Sequence, residues 1–272
     1  MISESTREAT SSVPTGMRGL YHFRDLLWSW TTRNVRARYQ QSILGWLWAI
    51  IQPVATVLIF SVIFTLFIPV DTGGVPYPLF SYTAMVPWTL LTLALTDMSG
   101  SLVYNMNLVT KIYFPREILP LAAMLARMMD FGIASALLAV LVLIYQPQVN
   151  VGALWLLPVV LLIQLMLIMG MGLALAALNV FYRDVQPFLA LALQLWFYAS
   201  PIIYPVSVVP PSLAPIYYLN PMASILESYR NILLHNQGPS PWLWLAAVVS
   251  SVVLVFGIWY FKRVEFLFAD LV

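Results

Sequence analysis

Residues 151–180 read VGALWLLPVVLLIQLMLIMGMGLALAALNV, without one Asp, Glu, Lys or Arg. A helix needs about 20 apolar residues to cross the hydrocarbon of a bilayer, and this run exceeds that length. On either side lie five more apolar runs of spanning character, at 43–68, 79–102, 118–145, 185–204 and 242–261. Together they predict an all-α integral membrane protein with six transmembrane helices. Composition agrees. The chain is 61% hydrophobic and 9% charged, against about 45–50% and about 25% in soluble domains. A transmembrane barrel needs short alternating segments, which are absent. With no cysteine, a disulfide framework, thiol catalysis and thiolate metal sites are excluded.

Lys and Arg set the orientation. Arg7, Arg18, Arg24, Arg33, Arg36 and Arg38 precede the first run, Lys111 and Arg116 join the second and third, Arg183 joins the fourth and fifth, and Lys262 and Arg263 follow the sixth. The opposite loops, 69–78, 146–150 and 205–241, carry Arg230 alone. The positive-inside tendency therefore places both termini in the cytoplasm. Residues 1–18 read as a disordered cytoplasmic tail, 19–42 as an amphipathic interfacial helix, 43–263 as the membrane domain and 264–272 as a second tail.

Two segments depart from plain spans. On a helical wheel Leu20, Phe23, Leu26, Leu27 and Trp30 share one arc, opposite Asp25, Ser29, Thr32 and Arg36. Such a helix is expected on the cytoplasmic membrane surface, apolar face in lipid, with Arg33, Arg36 and Arg38 near phosphates. It serves either as a topological anchor or as a platform for an anionic, lipid-linked substrate. The segment 205–241 is too apolar for a solvated loop and carries prolines at 205, 210, 211, 215, 221, 239 and 241. Asn220 before Pro221 marks a helix start, with the asparagine as cap and the proline in the first turn. Ile225, Leu226, Tyr229, Ile232 and Leu233 then form an apolar stripe, and Glu227 and Arg230 an i,i+3 pair. A short external re-entrant or interfacial helix is expected, as a lid or as packing.

No glycine is followed by lysine, so the phosphate-cradling Gly-x-x-x-x-Gly-Lys loop is absent and the chain is not expected to hydrolyse ATP itself. His22 and His235 fall on opposite sides of the membrane and share no metal. Arg127 and Asp130 are an i,i+3 pair on the third span, whereas Asp97 stands alone on the second; structural pairing is favoured over a proton relay. Gly170 with Ala174 and Gly172 with Ala176 permit close helix approach, within a protomer or between protomers.

The stretches RYQQSILGWLWAIIQP (38–53), VPYPLF (75–80) with PW (87–88), NLVTKIYFPREILPL (107–121), LNVFYRDV (178–185), SPIIYP (200–205) and LNPM (219–222) resemble, in order, the permease subunit of type-2 ABC exporters. The resemblance is to the branch that exports O-antigen, capsule and teichoic acid. It implies a homodimer in the bacterial cytoplasmic (inner) membrane with two copies of a separate ATP-binding subunit. ATP and Mg would sit on that partner, with no cofactor in this chain and no nucleic acid. It further implies an ATPase-coupling segment at Asn105, Asn107, Leu108, Lys111, Tyr113, Phe114, Pro115, Arg116 and Glu117, with Tyr113 and Phe114 as anchors and Lys111, Arg116 and Glu117 as rim contacts.

The same resemblance places the substrate entrance at Arg33, Arg36, Arg38, Tyr39, Leu44 and Gly45. Gln40 stands where a basic residue often follows the tyrosine, so the three arginines are the diphosphate candidates. Conduit candidates are Trp46, Phe60, Phe64, Tyr82, Trp88, Trp196, Phe197 and Tyr198; Tyr204, Asn220, Pro221 and Tyr229 are candidates for an external gate. The expected cargo is a lipid-linked (undecaprenyl-diphosphate-type) polysaccharide. Rival readings are a permease of this architecture that exports a lipid or drug, a proton-coupled secondary transporter and a membrane glycosyltransferase. No inverted repeat relates 43–145 to 151–261, and the loops lack clustered carboxylates, which disfavours the last two.

Overall fold

The computed structural model describes residues 23–40, 44–67, 69–111 and 114–269. The expected tail at 1–18, together with Leu20, His22, Tyr113 and the side chains of Trp46 and Lys111, lies outside the described residues. Among those described the chain is helical, with no strand beyond an isolated bridge between Gln148 and His235. The helices are α1 (Arg24–Tyr39), α2 (Trp48–Val62), α3 (Tyr77–Gly100), α4 (Met106–Lys111) and α5 (Ile118–Tyr145), followed by α6 (Leu157–Phe181), α7 (Val185–Ala199), α8 (Ala214–Tyr217), α9 (Pro221–Leu234) and α10 (Leu243–Val264).

Among the described residues, five segments are long and apolar enough to cross a membrane: Trp48–Phe67, Tyr77–Gly100, Ile118–Tyr145, Val151–Phe181 and Leu243–Phe268. The sixth expected span falls short. The helix at 185–199 has 15 residues, about 22 Å of rise against about 30 Å of hydrocarbon. It stops because Pro201 disfavours helical geometry at Ser200, which is extended. Tyr204, placed inside that span by the sequence, lies in the irregular stretch beyond it.

Of the five, α3 is the most enclosed and the least apolar, with 78% of its membrane window buried. In a bilayer the protein interior, rather than the lipid, accommodates polar groups. Gln164 of α6 is buried against this helix and its Nε2 donates to the Pro87 carbonyl at 2.7 Å.

The small-residue stripe of α6 is used within the protomer. A Cβ on Gly170 would lie 2.5 Å from the Val253 carbonyl group of α10, and one on Gly257 would overlap the Gly170 carbonyl oxygen. Gly172 instead admits the Met98 side chain of α3. Gly170→Ala or Gly257→Ala is therefore expected to cost about 1–3 kcal/mol by overpacking. A lowered midpoint of thermal unfolding in mild detergent checks this.

Contrary to expectation, the apolar face of α1 does not turn toward lipid. Phe23, Leu26, Leu27 and Trp30 pack on a second core built from Leu102, Val109, Phe114, Ile118, Leu119, Phe261 and Phe268. The lipid-facing assignment fails because the adjoining ends of α3, α5 and α10 already offer an apolar surface to cover. Gly45, at φ +47, begins the turn that leads into α2. That left-handed conformation favours glycine, which accounts for the Leu44–Gly45 motif.

Candidate functional site

At the junction of α1, α3 and α5, four charges close into one cluster of zero net formal charge. Arg127 binds Asp97 bidentately, through Nε at 2.6 Å and Nη2 at 3.0 Å, and reaches Asp130 with Nη1 at 3.0 Å. Arg38 spans the same two carboxylates, at 2.6 Å to Asp130 and 2.9 Å to Asp97. The Tyr39 hydroxyl donates to Asp130. Burial, then the Asp130 carboxylate, raises the Tyr39 phenol above its ordinary range, so it stays a donor. The expected Arg127–Asp130 pair is present. The isolation of Asp97 is corrected, since it holds two arginines, one of them from a helix far back in sequence.

The same geometry corrects the expectation for Arg38, whose guanidinium is committed to carboxylates rather than offered to lipid phosphate. Arg33 and Arg36 remain exposed on α1, Arg33 with its guanidinium 4.2 Å from the Trp30 ring centre. A cavity of about 200 Å³, lined by Asn34, Arg38, Asp97, Tyr104 and Asn105 among others, adjoins the cluster. It brings Arg38, alone of the entrance candidates, beside the start of the 105–117 segment.

Within 105–117 the structure divides the expected contacts. Phe114 is buried in the second core, so it anchors the segment to its own chain instead of facing outward. Arg116 donates to the Glu265 carbonyl and stands over the Phe268 ring. Glu117 takes Lys262 at 2.8 Å, and that lysine also holds Glu265 at 3.0 Å. Arg116 and Glu117 are thus inward ties to the end of α10, not rim contacts. Asn107 is exposed, as are Val103 and Tyr104 just before the segment, while Leu108 packs inward and Asn105 Nδ2 donates to the Ser101 carbonyl.

Six of the eight conduit candidates come together on α2 with the π-helical turn Ile63–Phe67 that continues it, α3 and α7. Phe60 stacks on Phe197 at 6.0 Å and neighbours Phe64 at 6.1 Å. Trp88 meets Trp196 at 5.8 Å and Phe197 at 5.9 Å, and Phe197 meets Tyr198 at 5.3 Å. Tyr77, not singled out from sequence, extends the ladder by stacking on Phe64 at 5.5 Å. Tyr82 stands apart: it is buried, and its hydroxyl donates to the Ala134 carbonyl of α5.

Beyond the ladder, Asn220 caps α9 through the Met222 N–H, and Pro221 opens the helix, as the sequence indicates. Asn220 Oδ1 also accepts from Trp196 Nε1 at 2.9 Å, and its Nδ2 donates to Ser200 Oγ at 2.9 Å, so the cap is tied to α7. The Tyr204 hydroxyl donates to the Tyr198 carbonyl. Tyr229 does not join this group; it is buried against Gln164 of α6.

The expected Glu227–Arg230 pair does not form as an ion pair. Glu227 accepts from the Tyr218 and Ser240 hydroxyls. The Arg230 guanidinium is buried over the Phe80 ring at 3.6 Å and donates to the carbonyls of Phe80 at 3.2 Å, Ile202 at 2.6 Å and Pro201. Irregular backbone at membrane depth needs internal donors, and Arg230 supplies them where α7 ends.

The ABC-2 type transporter family model matches residues 25–234, which takes in the four-charge cluster, the aromatic ladder and the Arg230 site, and stops short of α10. The chain belongs to the ABC-2 type transporter family. This permease is 34% identical over 256 residues to the O-antigen export system permease protein RfbA of Myxococcus xanthus, covering 92% of this chain and 97% of the relative. It is 26% identical to the protein of the same name from Klebsiella pneumoniae, over 91% of this chain and 95% of that one. The polysialic acid transport protein KpsM of Escherichia coli is 24% identical, over 86% and 91%.

Sequence reasoning passed over Tyr77, Tyr104, Lys262, Glu265 and the carbonyl-binding role of Arg230. Only the last left a mark in the sequence: it is the sole cation in the loops of its side and sits beside an apolar stripe. The others depend on helix rotation, which the permease sequence does not display.

Proposed function

We propose that this permease is the membrane half of an ATP-driven exporter that carries a lipid-linked polysaccharide, of the O-antigen or teichoic acid kind, across the bacterial cytoplasmic membrane. It works as a homodimer with two copies of an ATP-binding subunit, which holds ATP and Mg, and both termini are cytoplasmic. Relatives of nearly equal length that are named as O-antigen export permeases support the cargo class. The observation that carries the reading is the aromatic ladder on α2, α3 and α7. Aromatic rings suit the C–H faces of sugars, and a ladder offers successive platforms along a path rather than one tight site.

The remaining geometry divides the labour. Exposed Arg33 and Arg36 receive the diphosphate of the carrier, beside the Leu44–Gly45 turn. Asn107 and Tyr104 face the ATP-binding subunit. The ties from Arg116 and Glu117 to Lys262 and Glu265 make a push on 105–117 move α5 and α10 together. A proton relay is disfavoured because Asp97 and Asp130 each hold two arginines, so that both carboxylates are engaged in tying helices together.

The test uses a strain that lacks this chain and retains its glycan synthesis. Wild-type permease should restore surface polysaccharide. Phe197→Leu with Tyr198→Leu, which keeps apolar bulk and removes the rings, should reach the membrane at normal level yet export about tenfold less, equivalent to about 1.4 kcal/mol. Undiminished export by that variant contradicts the ladder's role.

A further inference from the structure

We infer that the gap between α5 and α6 is a binding site for one acyl chain of a membrane phospholipid. Both helices pack closely on α3 but touch each other little, and between them lies a cavity of about 600 Å³. Phe131, Leu138 and Val142 line it from α5, and Leu157 and Leu161 from α6. The polar side chains on its wall are already occupied or too few: Thr83 Oγ1 donates to the Leu79 carbonyl and the Tyr229 hydroxyl to Gln164, which leaves Ser135. A buried water needs two to four polar partners, so water does not fill this space. Left empty, the walls would forfeit their dispersion contacts over a volume far larger than native packing tolerates.

Shape and position identify the occupant. The lining of α5 from Phe131 to Val142 rises about 16 Å, which matches the half-thickness of a hydrocarbon core of about 30 Å. The cavity therefore runs the depth of one leaflet. Its end toward the 146–150 loop is roofed, because the Asn150 N–H donates to the Ile232 carbonyl and the Asn236 N–H to the Gln148 carbonyl, joining that loop to the end of α9. Tyr145 and Trp155, both exposed, mark the interfacial level beside the roof. Access is lateral, past the exposed rim of Leu143 and Leu162. The medium at that rim is acyl chain, whichever way the protein is oriented. A tail inserted from the side replaces the missing contacts of α3, α5, α6 and α9 at once, with its headgroup left at the aromatic level.

The experiment titrates phosphatidylglycerol into delipidated, full-length permease and counts bound lipid by native mass spectrometry. Ala139→Phe and the smaller Ser135→Leu fill the cavity; each should weaken the tightest binding step about tenfold or more. Leu195→Phe, on the exposed face of α7, should leave it unchanged. In wild-type protein, phosphatidylglycerol with a photoactivatable group midway along its tail should label residues 131–142 and 157–161. Equal lipid binding by both filled variants overturns the assignment, as does photolabelling confined to other segments. Loss of subunit pairing in both filled variants would assign the gap to a second copy instead. Labelling abolished by an isoprenyl diphosphate but not by excess unlabelled phosphatidylglycerol would assign it to a carrier lipid.

Discussion

Replacing Asp130 with alanine should destabilise the permease by about 3–5 kcal/mol, because removal of one partner leaves buried charge uncompensated. The lower end applies, since Asp130 keeps 10% and Asp97 29% of its side-chain exposure. Arg38 and Arg127 would then share Asp97 alone, and the Tyr39 hydroxyl would lose its acceptor. The cluster joins α1 to α3 and α5, so its loss should free α1 as well as lower the unfolding midpoint. Adding Arg38→Met to Asp130→Ala restores neutrality and should recover part of the loss, giving a coupling energy of about 1–3 kcal/mol in a double-mutant cycle. Additive losses would show that the two residues act independently. Limited proteolysis near residue 40, faster in Asp130→Ala, reports the release of α1 directly.

Arg230→Met should have an effect at least as large. The methionine keeps most of the stem and removes every donor, leaving the carbonyls of Pro201 and Ile202 buried without this partner and taking a second donor from that of Phe80. Each orphaned group costs about 1–3 kcal/mol, which together approaches the whole stability of a typical domain, about 5–15 kcal/mol. The variant should fail to accumulate in the membrane. Arg230→Lys should rescue only part, because one ammonium group cannot serve three carbonyls that a planar fork reaches together. Wild-type levels and unfolding midpoint for Arg230→Met would contradict the role assigned to this side chain.

The helices were legible because lipid enforces long apolar runs, and α3, α5, α6 and α10 stand where those runs lie. The break at Ser200 was carried by Pro201, yet the apolar composition continues through Ile203, so hydropathy conceals the end of α7. Periodicity found Arg127 with Asp130, since neighbours on one helix are a matter of spacing. It could not find Arg38 with Asp97, 59 positions apart, because that pair exists only once α1 folds back against α3. Arg33, Arg36 and Arg38 look alike in sequence; burial separates one structural arginine from two exposed ones. Gly170 announced a close crossing, whereas its counterpart Gly257 sits alone among large residues and gives no signal.

In the 105–117 segment the motif marked contact-forming residues but not the direction in which they face. Phe114, Arg116 and Glu117 are residues that suit an interface, and they do make one, with the protein's own C-terminal segment. Among the aromatic candidates the described rings of α2, α3 and α7 meet one another, whereas Tyr82 is rotated toward α5. Rotation about a helix axis is set by packing partners, and a run that is apolar all round carries no record of it.

On the function proposed here, the permease moves a lipid-linked glycan only when a separate subunit hydrolyses ATP. Reconstitute permease and ATP-binding subunit in vesicles loaded with lipid-linked polysaccharide on the cytoplasmic face, and follow the fraction of glycan open to a glycosidase on the opposite face. That fraction should rise with ATP and Mg together, and stay flat with either alone or with permease alone. Glycan appearing without ATP, or in response to an imposed proton gradient, would contradict the account.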